Sequence, residues 1–335
     1  MRWREFELIV TAALCSAVLI LLLLPLFRRY ALARPNSRSS HSAPTPQGGG
    51  VAVILAAMVA LGIDSAFVGL ERVVPGDTLP LGAAVVLLTV LGAIDDIVPI
   101  TPLWRLAVQA IAVVLAVANM PAELRAIPIV PISVERVAEF VAGLWFVNLV
   151  NFMDGIDWIT VVETVPCTAS IFIFALLGAA PPPAGSVALA LCGAMLGFAP
   201  FNRPVAKLFL GDVGSLPIGL LLFWLLLQLA GSGHLAAAIL LPLYYVADTT
   251  ITLLLRIVRG ERITEAHRTH FYQLAVVRGF SVLTVVQSVF AVNIALAVLA
   301  ALSIRISSVA FDLFALVVGS TLVATLLVIM GRGKR

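Results

Sequence analysis

The sequence predicts an all-α protein: a polytopic membrane bundle of about 11 transmembrane helices, forming a single domain over residues 1–335. Of the 335 residues, 61% are hydrophobic and only 12% are charged, and the mean hydropathy is +1.10. This composition excludes a water-soluble fold. Apolar stretches of about 20 residues recur along the whole chain without the alternation of barrel strands, so helices must satisfy the backbone in lipid.

The predicted spans follow one another without a repeat or a soluble insertion. In order they are residues 6–27, 48–70, 79–98, 104–120, 137–153, 159–179, 186–201, 214–231, 235–257, 281–302 and 308–330. The three cysteines lie inside these runs without a pairing or metal-binding pattern, which is typical of small core residues.

Lysine and arginine predict the orientation of the bundle. One set of loops holds 15 of the 21 basic residues and the opposite set holds 6. Because loops retained in the cytoplasm carry the excess, we expect a periplasmic N-terminus and a cytoplasmic C-terminus. The net charge of +3 is spread between spans rather than over one soluble face. It therefore favours membrane lipids or an anionic substrate as partners, with no nucleic acid.

The first of five polar clusters precedes the second span. It contains Arg38, Ser40 and His41, followed by the glycine run 48–50. Glycines that open a helix let backbone N–H groups approach a phosphate, and the arginine and histidine add donors. We interpret the cluster as a phosphate-binding loop, the alternative being an ordinary loop that enters a helix.

The second cluster is the pair Asp95 and Asp96 at the inner end of the third span. Two adjacent carboxylates at a bilayer edge are costly to desolvate unless they bind a cation or exchange a proton. A divalent metal ion is the natural partner for them. A solvated helix end would explain one such residue more readily than two.

The third cluster ends the fifth span with Asn148, Asn151, Asp154 and Asp157. The first three positions are spaced at i, i+3 and i+6, so they share one face of a helix. Gly155 then ends the helix and projects Asp157 beyond it. Capping and interhelical hydrogen bonds would account for one or two of these residues, but hardly for four.

The fourth cluster leads into the eighth span. It comprises Asn202, Lys207 and the segment Gly211-Asp212-Val213-Gly214-Ser215. An aspartate between glycines at a helix N-terminus suits Mg²⁺ and a pyrophosphate together. A simple N-cap is the alternative for Asp212 alone.

The fifth cluster lies in the most charged loop and contains His267, Arg268 and His270. Retention of positive charge in the cytoplasm explains the arginine but not the paired histidines. A zinc site would need more nitrogen or sulfur ligands than the loop offers, so phosphate binding or proton handling is the favoured role. All five clusters fall on the arginine-rich side, which predicts one cytoplasmic site.

Carboxylates, amides, histidines and arginines at a membrane surface indicate phosphoryl transfer, in which positioning and charge neutralisation dominate. The sequence carries no nucleophile elbow and no dinucleotide glycine fingerprint. Together, the five motifs in this order resemble the polyprenyl-phosphate N-acetylhexosamine-1-phosphate transferase family. The resemblance extends over nearly the whole chain and is closest to the branch that initiates O-antigen and lipopolysaccharide synthesis.

The resemblance implies an activity and its partners. Such a Mg²⁺-dependent enzyme, with Mn²⁺ as a substitute, moves an N-acetylhexosamine-1-phosphate from a UDP-sugar to undecaprenyl phosphate and releases UMP. It would reside in the bacterial inner membrane with its site facing the cytoplasm. Which N-acetylhexosamine is used stays open, as does the oligomeric state, a homodimer included.

The resemblance also implies residue roles. Asp212 would be the principal metal ligand, with Asn151 beside it. Catalytic roles fall to Asp95, Asp96, Asp154, Asp157, His267 and His270, one of the paired aspartates acting as base. Substrate binding falls to Arg38, Ser40, His41, Asn148, Asn151, Asn202, Lys207 and Arg268.

Two alternatives stay open at this point. The peptidoglycan phospho-MurNAc-pentapeptide translocase belongs to the same family, but it carries three consecutive histidines where this chain has His267 and His270. A secondary transporter would place an acid near the bilayer midplane. Asp248 is the candidate for that acid, although we expect it to line the upper wall of the cytoplasmic cleft.

Overall fold

The computed structural model describes residues 3–33, 44–68, 79–261 and 268–333, and 78% of these residues are helical. Two short strands, β1 (Leu32–Ala33) and β2 (Thr45–Pro46), pair antiparallel beside the end of the first helix. The helices are α1 (Trp3–Tyr30), α2 (Gly49–Val68), α3 (Leu79–Asp95), α4 (Pro102–Ala118), α5 (Ile132–Met153), α6 (Ile159–Leu176), α7 (Pro182–Phe198), α8 (Asp212–Gly231), α9 (Leu235–Leu240), α10 (Leu243–Val258), α11 (Phe271–Val277), α12 (Val282–Ile306) and α13 (Val309–Arg332).

The helices confirm a multi-pass membrane protein. Within the described ranges, 7 helices are long and apolar enough to cross a membrane, namely α1, α2, α5, α6, α8, α12 and α13. Three shorter apolar helices, α3, α4 and α7, accompany them. The count of eleven spans and the orientation of the termini stay predictions. The predicted span 235–257 is divided into α9 and α10, because Pro242 cannot continue the hydrogen-bond ladder of a helix.

Helix α8 is the centre of the bundle. Its whole membrane-spanning stretch is buried, and it packs against α2, α3, α5, α6 and α9. It can be apolar on every side because each side faces another helix rather than lipid. Since Asp212 is its first residue, the surrounding helices bring their own ends to the place where α8 begins.

Glycines allow backbones to touch at this end of α8. A Cβ atom on Gly50 of α2 would lie 2.1 Å from the Cα of Gly214, and one on Gly92 of α3 would lie 2.3 Å from the carbonyl oxygen of Asp212. Small residues let membrane helices approach this closely. The glycine contacts therefore set the positions of α2 and α3 against the first turn of α8.

Replacing Gly50 by alanine is expected to lower the free energy of unfolding by about 3 kcal/mol, because the added methyl group meets backbone that cannot rotate away. Gly62 lies on the same helix, and a Cβ atom added there would have no neighbouring atom within 4 Å, so Gly62→Ala provides the matched control. Thermal unfolding in detergent measures both variants. Equal stability of the two would contradict this packing.

Ion pairs close the opposite end of the bundle. Arg4 of α1 donates two hydrogen bonds of 2.7 Å to the carboxylate of Asp64 of α2. Arg136 pairs with Glu139 at 2.7 Å, and Arg125 pairs with Glu135. Pairing reduces the desolvation penalty of charges near lipid. This end therefore holds compensated charge, whereas the end at Asp212 concentrates carboxylates.

Candidate active site

A cavity of about 750 Å³ opens where α8 begins and α5 ends. Four carboxylates line it: Asp96, Asp154, Asp157 and Asp212. The chain segments that carry them are far apart in sequence and come together only because the helices end at the same side of the bundle. The structure therefore brings residues of the second, third and fourth clusters together, as predicted.

Asp96 is held against the N-terminus of α8. Its Oδ1 accepts a hydrogen bond of 3.0 Å from the backbone N–H of Asp212, and its Oδ2 accepts one of 3.2 Å from that of Val213. Gln47 donates from Nε2 to the carbonyl oxygen of Asp96 at 2.8 Å. Burial, and after it the negative charge of Asp212, raises the pKa of Asp96 to about 7. The group can therefore bind or release a proton near neutral pH.

Arg105 links the carboxylates to the end of α5. Its Nη1 lies 2.9 Å from Asp95 Oδ2 and 3.0 Å from Asp212 Oδ2, and its Nη2 donates to Asn151 Oδ1. Asp95 also accepts a hydrogen bond of 2.6 Å from the backbone N–H of Ile100. Of the predicted pair, only Asp96 lines the cavity, while Asp95 fixes Arg105.

The amide of Asn151 is oriented by these contacts. Its Nδ2 donates at 2.8 Å to Asp212 Oδ1 and at 2.8 Å to Ser215 Oγ, while its oxygen accepts from Arg105. The expectation that Asn151 and Asp212 offer neighbouring oxygen ligands is therefore not met in this arrangement. The amide presents its NH₂ group to the carboxylate, so Asn151 positions Asp212.

Asn148 shares the helix face of Asn151 but does not line the cavity. One turn before Asn151, it donates from Nδ2 to Gln109 Oε1 at 2.8 Å and to the carbonyl oxygen of Leu144 at 2.8 Å. Both contacts lie between helices rather than in the cavity. Asn148 is therefore not placed to contact substrate as predicted, because α4 packs against the part of the helix face that carries it.

Asp154 and Asp157 border the loop after α5. Asp154 accepts a hydrogen bond of 2.6 Å from the Thr160 hydroxyl, and burial, with added repulsion from Asp212 and Asp157, raises the pKa of Asp154 to about 7. Asp157 accepts from the backbone N–H of Ala206 at 3.0 Å. The two aspartates therefore sit in different environments, one desolvated and the other bound to a neighbouring loop.

Asn202 joins the same two loops. Its Oδ1 accepts from the backbone N–H of Trp158 at 2.8 Å, and its Nδ2 donates to the carbonyl oxygen of Leu208 at 3.0 Å. It borders the cavity, as predicted for a substrate-binding residue, but its polar atoms are used to hold the loops together. Lys207 is exposed and lies outside the cavity lining.

The glycine run does not form an open phosphate loop. The backbone N–H of Gly49 donates to the carbonyl oxygen of Phe209 at 2.9 Å, and that of Gly50 donates to the carbonyl oxygen of Leu210 at 2.8 Å. The phosphate-binding interpretation of these N–H groups is therefore wrong. Their carbonyl partners belong to the segment that leads into α8, so the run fixes Asp212 instead.

His270 and Asp248 form a buried pair beneath the site. Asp248 accepts hydrogen bonds from the backbone N–H groups of Phe271 at 3.0 Å and Tyr272 at 3.2 Å, and lies 3.3 Å from His270 Nδ1. It is fully buried, so the expectation that it lines the cleft wall is wrong. His270 is buried as well and stacks on Tyr272. Its geometry suits a residue that positions α11 rather than one that touches substrate.

Several predicted site residues lie outside the described residues, namely Arg38, Ser40, His41 and His267. Arg268 is described and half-buried, but it is not part of the cavity lining.

Comparison with known proteins shows a match to one family model and to several relatives. The model of glycosyl transferase family 4 matches residues 78–230. The probable undecaprenyl-phosphate N-acetylglucosaminyl 1-phosphate transferase of Bacillus subtilis (strain 168) is 25% identical over 288 residues, which cover 82% of this chain and 78% of that protein. The family model covers a little under half of the chain, and this relative covers most of it. The resemblance to polyprenyl-phosphate N-acetylhexosamine-1-phosphate transferases is thereby confirmed.

Two further relatives match shorter parts of the chain. The decaprenyl-phosphate N-acetylglucosaminephosphotransferase of Mycobacterium leprae (strain TN) is 31% identical over 58% of the chain and 53% of its own length. The phospho-N-acetylmuramoyl-pentapeptide-transferase of Limosilactobacillus reuteri (strain DSM 20016) is 35% identical over 32% of the chain and 34% of its own length. The chain thus matches about half the length of the mycobacterial relative and a third of the translocase.

The family 4 match contains the cavity carboxylates and Arg105, which sequence reasoning counted only as a charge of the inner loops. A signal for Arg105 exists, because Pro99 and Pro102 turn the chain between α3 and α4 and return the arginine toward Asp95. Gln47 and Gln273, which also line the cavity, were missed and stand beside recognised motifs without a spacing pattern of their own.

Proposed function

We propose that this chain transfers an N-acetylhexosamine-1-phosphate, GlcNAc-like and open to a 6-deoxy derivative, from a UDP-sugar to undecaprenyl phosphate. The transfer releases UMP and begins the synthesis of O-antigen, lipopolysaccharide or another envelope polysaccharide. Names of the relatives support the coarser part of the proposal, since they act on undecaprenyl or decaprenyl phosphate with N-acetylglucosamine phosphate. The likeness of the motifs to the O-antigen branch supports the proposed role in O-antigen or lipopolysaccharide synthesis.

One observation carries the proposal. Four carboxylates line a single cavity at the end of a membrane bundle, and the cavity is large enough for a nucleotide sugar. Ionised carboxylates in this cleft would repel phosphates, and a cation between them relieves that repulsion. Magnesium, which is bound by one or two carboxylates together with substrate phosphates, is the cation that fits this arrangement.

The residues present fit a Mg²⁺ ion held partly by substrate. Among the described residues, no three His, Cys, Asp or Glu side chains form a complete metal site. Mg²⁺ retains waters and substrate oxygens, so it does not need such a cage. Asp212 would hold the ion, with Asp96 and Asp154 near enough to interact electrostatically with Asp212. The ion would neutralise charge on the transferred phosphate.

The proposed transfer balances without a further reactant. An oxygen of the lipid phosphate attacks the phosphorus that bears the sugar, and the bond from that phosphorus to the bridging oxygen breaks. The bridging oxygen leaves with UMP. Asp96 is placed to take the proton of a singly protonated lipid phosphate, because the pKa of Asp96 is raised to about 7 while Asp95 is bound to Arg105.

The site is proposed to face the cytoplasm of the bacterial inner membrane. The excess of lysine and arginine in the loops on the cavity side supports this orientation. Asp248 gives a transporter little support, because its carboxylate caps α11 and lies within the protein core rather than on an ion pathway.

Release of radiolabelled UMP tests the function. Purified protein is incubated with UDP-GlcNAc, UDP-GalNAc, their 6-deoxy relatives or UDP-MurNAc-pentapeptide, with and without undecaprenyl phosphate. We expect release that requires the lipid, is lost in EDTA and returns with Mg²⁺ or Mn²⁺. Release from the pentapeptide substrate alone would favour the translocase, and metal-independent solute uptake by proteoliposomes would favour a transporter.

Magnesium is expected to stabilise the protein more at pH 8 than at pH 5. The raised pKa values of Asp96 and Asp154 mean that the folded protein retains protons that the unfolded chain loses above about pH 4. Without metal, stability from these groups therefore falls as the pH rises through about 7. A cation relieves the repulsion of the ionised carboxylates, contributing about 2.7 kcal/mol at 100 times its Kd.

Thermal unfolding with and without Mg²⁺ at both pH values measures the effect. The shift should be absent in Asp212→Asn. An equal shift at pH 5 and pH 8, or a full shift in that variant, would contradict the carboxylate assignment.

A further inference from the structure

The turn between α3 and α4 has an apolar outer surface. We call residues 97–104 the tip, and no charged residue interrupts it between Asp96 and Arg105. Its exposed side chains are Ile97 (63%), Val98 (61%), Leu103 (76%) and Trp104 (69%). Such a cluster at the end of a helix hairpin is unfavourable in water.

The polar contacts of the tip and of the two residues that flank it lie on the opposite side. The backbone N–H of Ile100 binds Asp95, the side chain of Arg105 binds Asp95 and Asp212, and the carbonyl oxygen of Asp96 accepts from Gln47. These contacts fasten one side of the tip to the active site. The apolar side chains therefore occupy the side that faces away from the protein.

The apolar surface of the tip continues the outer faces of its two helices. On α3, exposed Val86, Val90 and Ile94 follow one another at intervals of one turn. On α4, Ile111 and Val114 are exposed in the same way. These faces contact lipid in a multi-pass protein, so the tip extends a lipid-facing surface without a break.

The lengths of the helices point to the same environment. Helices α3 and α4 have 17 residues each, which gives about 25 Å at 1.5 Å per residue, against about 30 Å for a hydrocarbon core. Each helix is therefore at the lower limit of the length that spans the core. The apolar tip adds hydrophobic length beyond the end of α3.

We propose that the tip is embedded in the lipid leaflet on the side of the active site, with its exposed aliphatic side chains, Ile97, Val98 and Leu103, in contact with the acyl chains. Trp104 then occupies the interfacial level that tryptophan prefers. Asp96 and Arg105, which flank the tip, lie on its protein-facing side. If the proposed function holds, an acceptor phosphate reaches Asp96 by lateral diffusion, although the location of the tip does not depend on that function.

Spin labels on the full-length protein in lipid nanodiscs test the location. The label is placed at Val98→Cys in a Cys15→Ala background, since Cys167 and Cys192 are buried. Val205→Cys is the matched control, because Val205 is 91% exposed and borders the cavity on the same side of the bundle. We expect the label at position 98 to collide more with oxygen than with aqueous nickel chelate, and the label at position 205 to show the reverse.

A second readout uses the native tryptophan. The difference in fluorescence between wild type and Trp104→Phe isolates Trp104, and brominated lipids should quench that difference if the ring lies near the interface. Access of nickel chelate to position 98, with no lipid quenching of Trp104, would overturn the proposal. So would protection of position 98 from both reagents, which would indicate that a second copy covers the tip. Neither readout requires transferase activity.

Discussion

Asp212→Asn is expected to reduce UMP release about 1,000-fold or more, because the proposed metal ion would lose its main carboxylate ligand and with it several kcal/mol of charge stabilisation. The amide has nearly the shape of the carboxylate. It can keep a contact with Asn151, whose Nδ2 lies 2.8 Å from Asp212 Oδ1. The bundle should therefore still fold, since the backbone N–H of Asp212 continues to bind Asp96.

Turnover with saturating UDP-GlcNAc, lipid and Mg²⁺ measures this effect. Thermal unfolding without metal checks that the variant is intact. Glu123→Gln provides the control, because Glu123 is an exposed carboxylate at the opposite end of the bundle. Activity of Asp212→Asn within a few-fold of wild type would remove Asp212 from the metal site.

Arg105→Ala is expected to lower turnover roughly 100-fold, and Arg105→Lys should recover only a small part of it. The guanidinium binds Asp95, Asp212 and Asn151 at once, which a lysine ammonium cannot do with the same planar geometry. Removing it leaves two partly buried carboxylates without a counter-charge. Asp212 would then lose the orientation that the arginine supplies.

The matched control is Arg305→Ala, at the far end of α12, which should retain nearly full activity. Substrate titrations distinguish a binding defect from a catalytic one, and we expect the loss mainly in kcat, because Arg105 fixes the carboxylates rather than lining the cavity. A wild-type kcat in Arg105→Ala would show that the pair of Asp95 and Arg105 stabilises only the turn between α3 and α4.

The sequence predicts the membrane bundle and the gathering of carboxylates because both depend on local signals. Long apolar runs specify helices in lipid, and charge bias places their ends. Each of the four cavity carboxylates lies at or near the end of such a run, so the ends of the helices bring them together.

The roles of individual side chains depend on tertiary neighbours that spacing does not reveal. Asn148 shares a helical face with Asn151, yet Gln109 of α4 occupies the space beside it. The Gly49 and Gly50 amides could bind phosphate, but carbonyl groups of residues 209 and 210 reach them first.

Buried polar groups are the hardest to assign from sequence. Asp248 and His270 have residue types typical of catalysis, but they satisfy each other and the first turn of α11. Arg105 is the reverse case. Its residue type and its position in a loop indicated only the orientation of the bundle. Its contacts, however, place it among the carboxylates Asp95 and Asp212.

Electron paramagnetic resonance of Mn²⁺ bound to the purified protein with UDP-GlcNAc tests the central claim most directly. We expect Mn²⁺ to bind with a phosphorus hyperfine coupling from the nucleotide, and we expect Asp212→Asn to abolish this signal while Glu123→Gln keeps it. Mn²⁺ that shows no phosphorus coupling, or that binds equally well in Asp212→Asn, would contradict a cation shared by this cavity and its substrate.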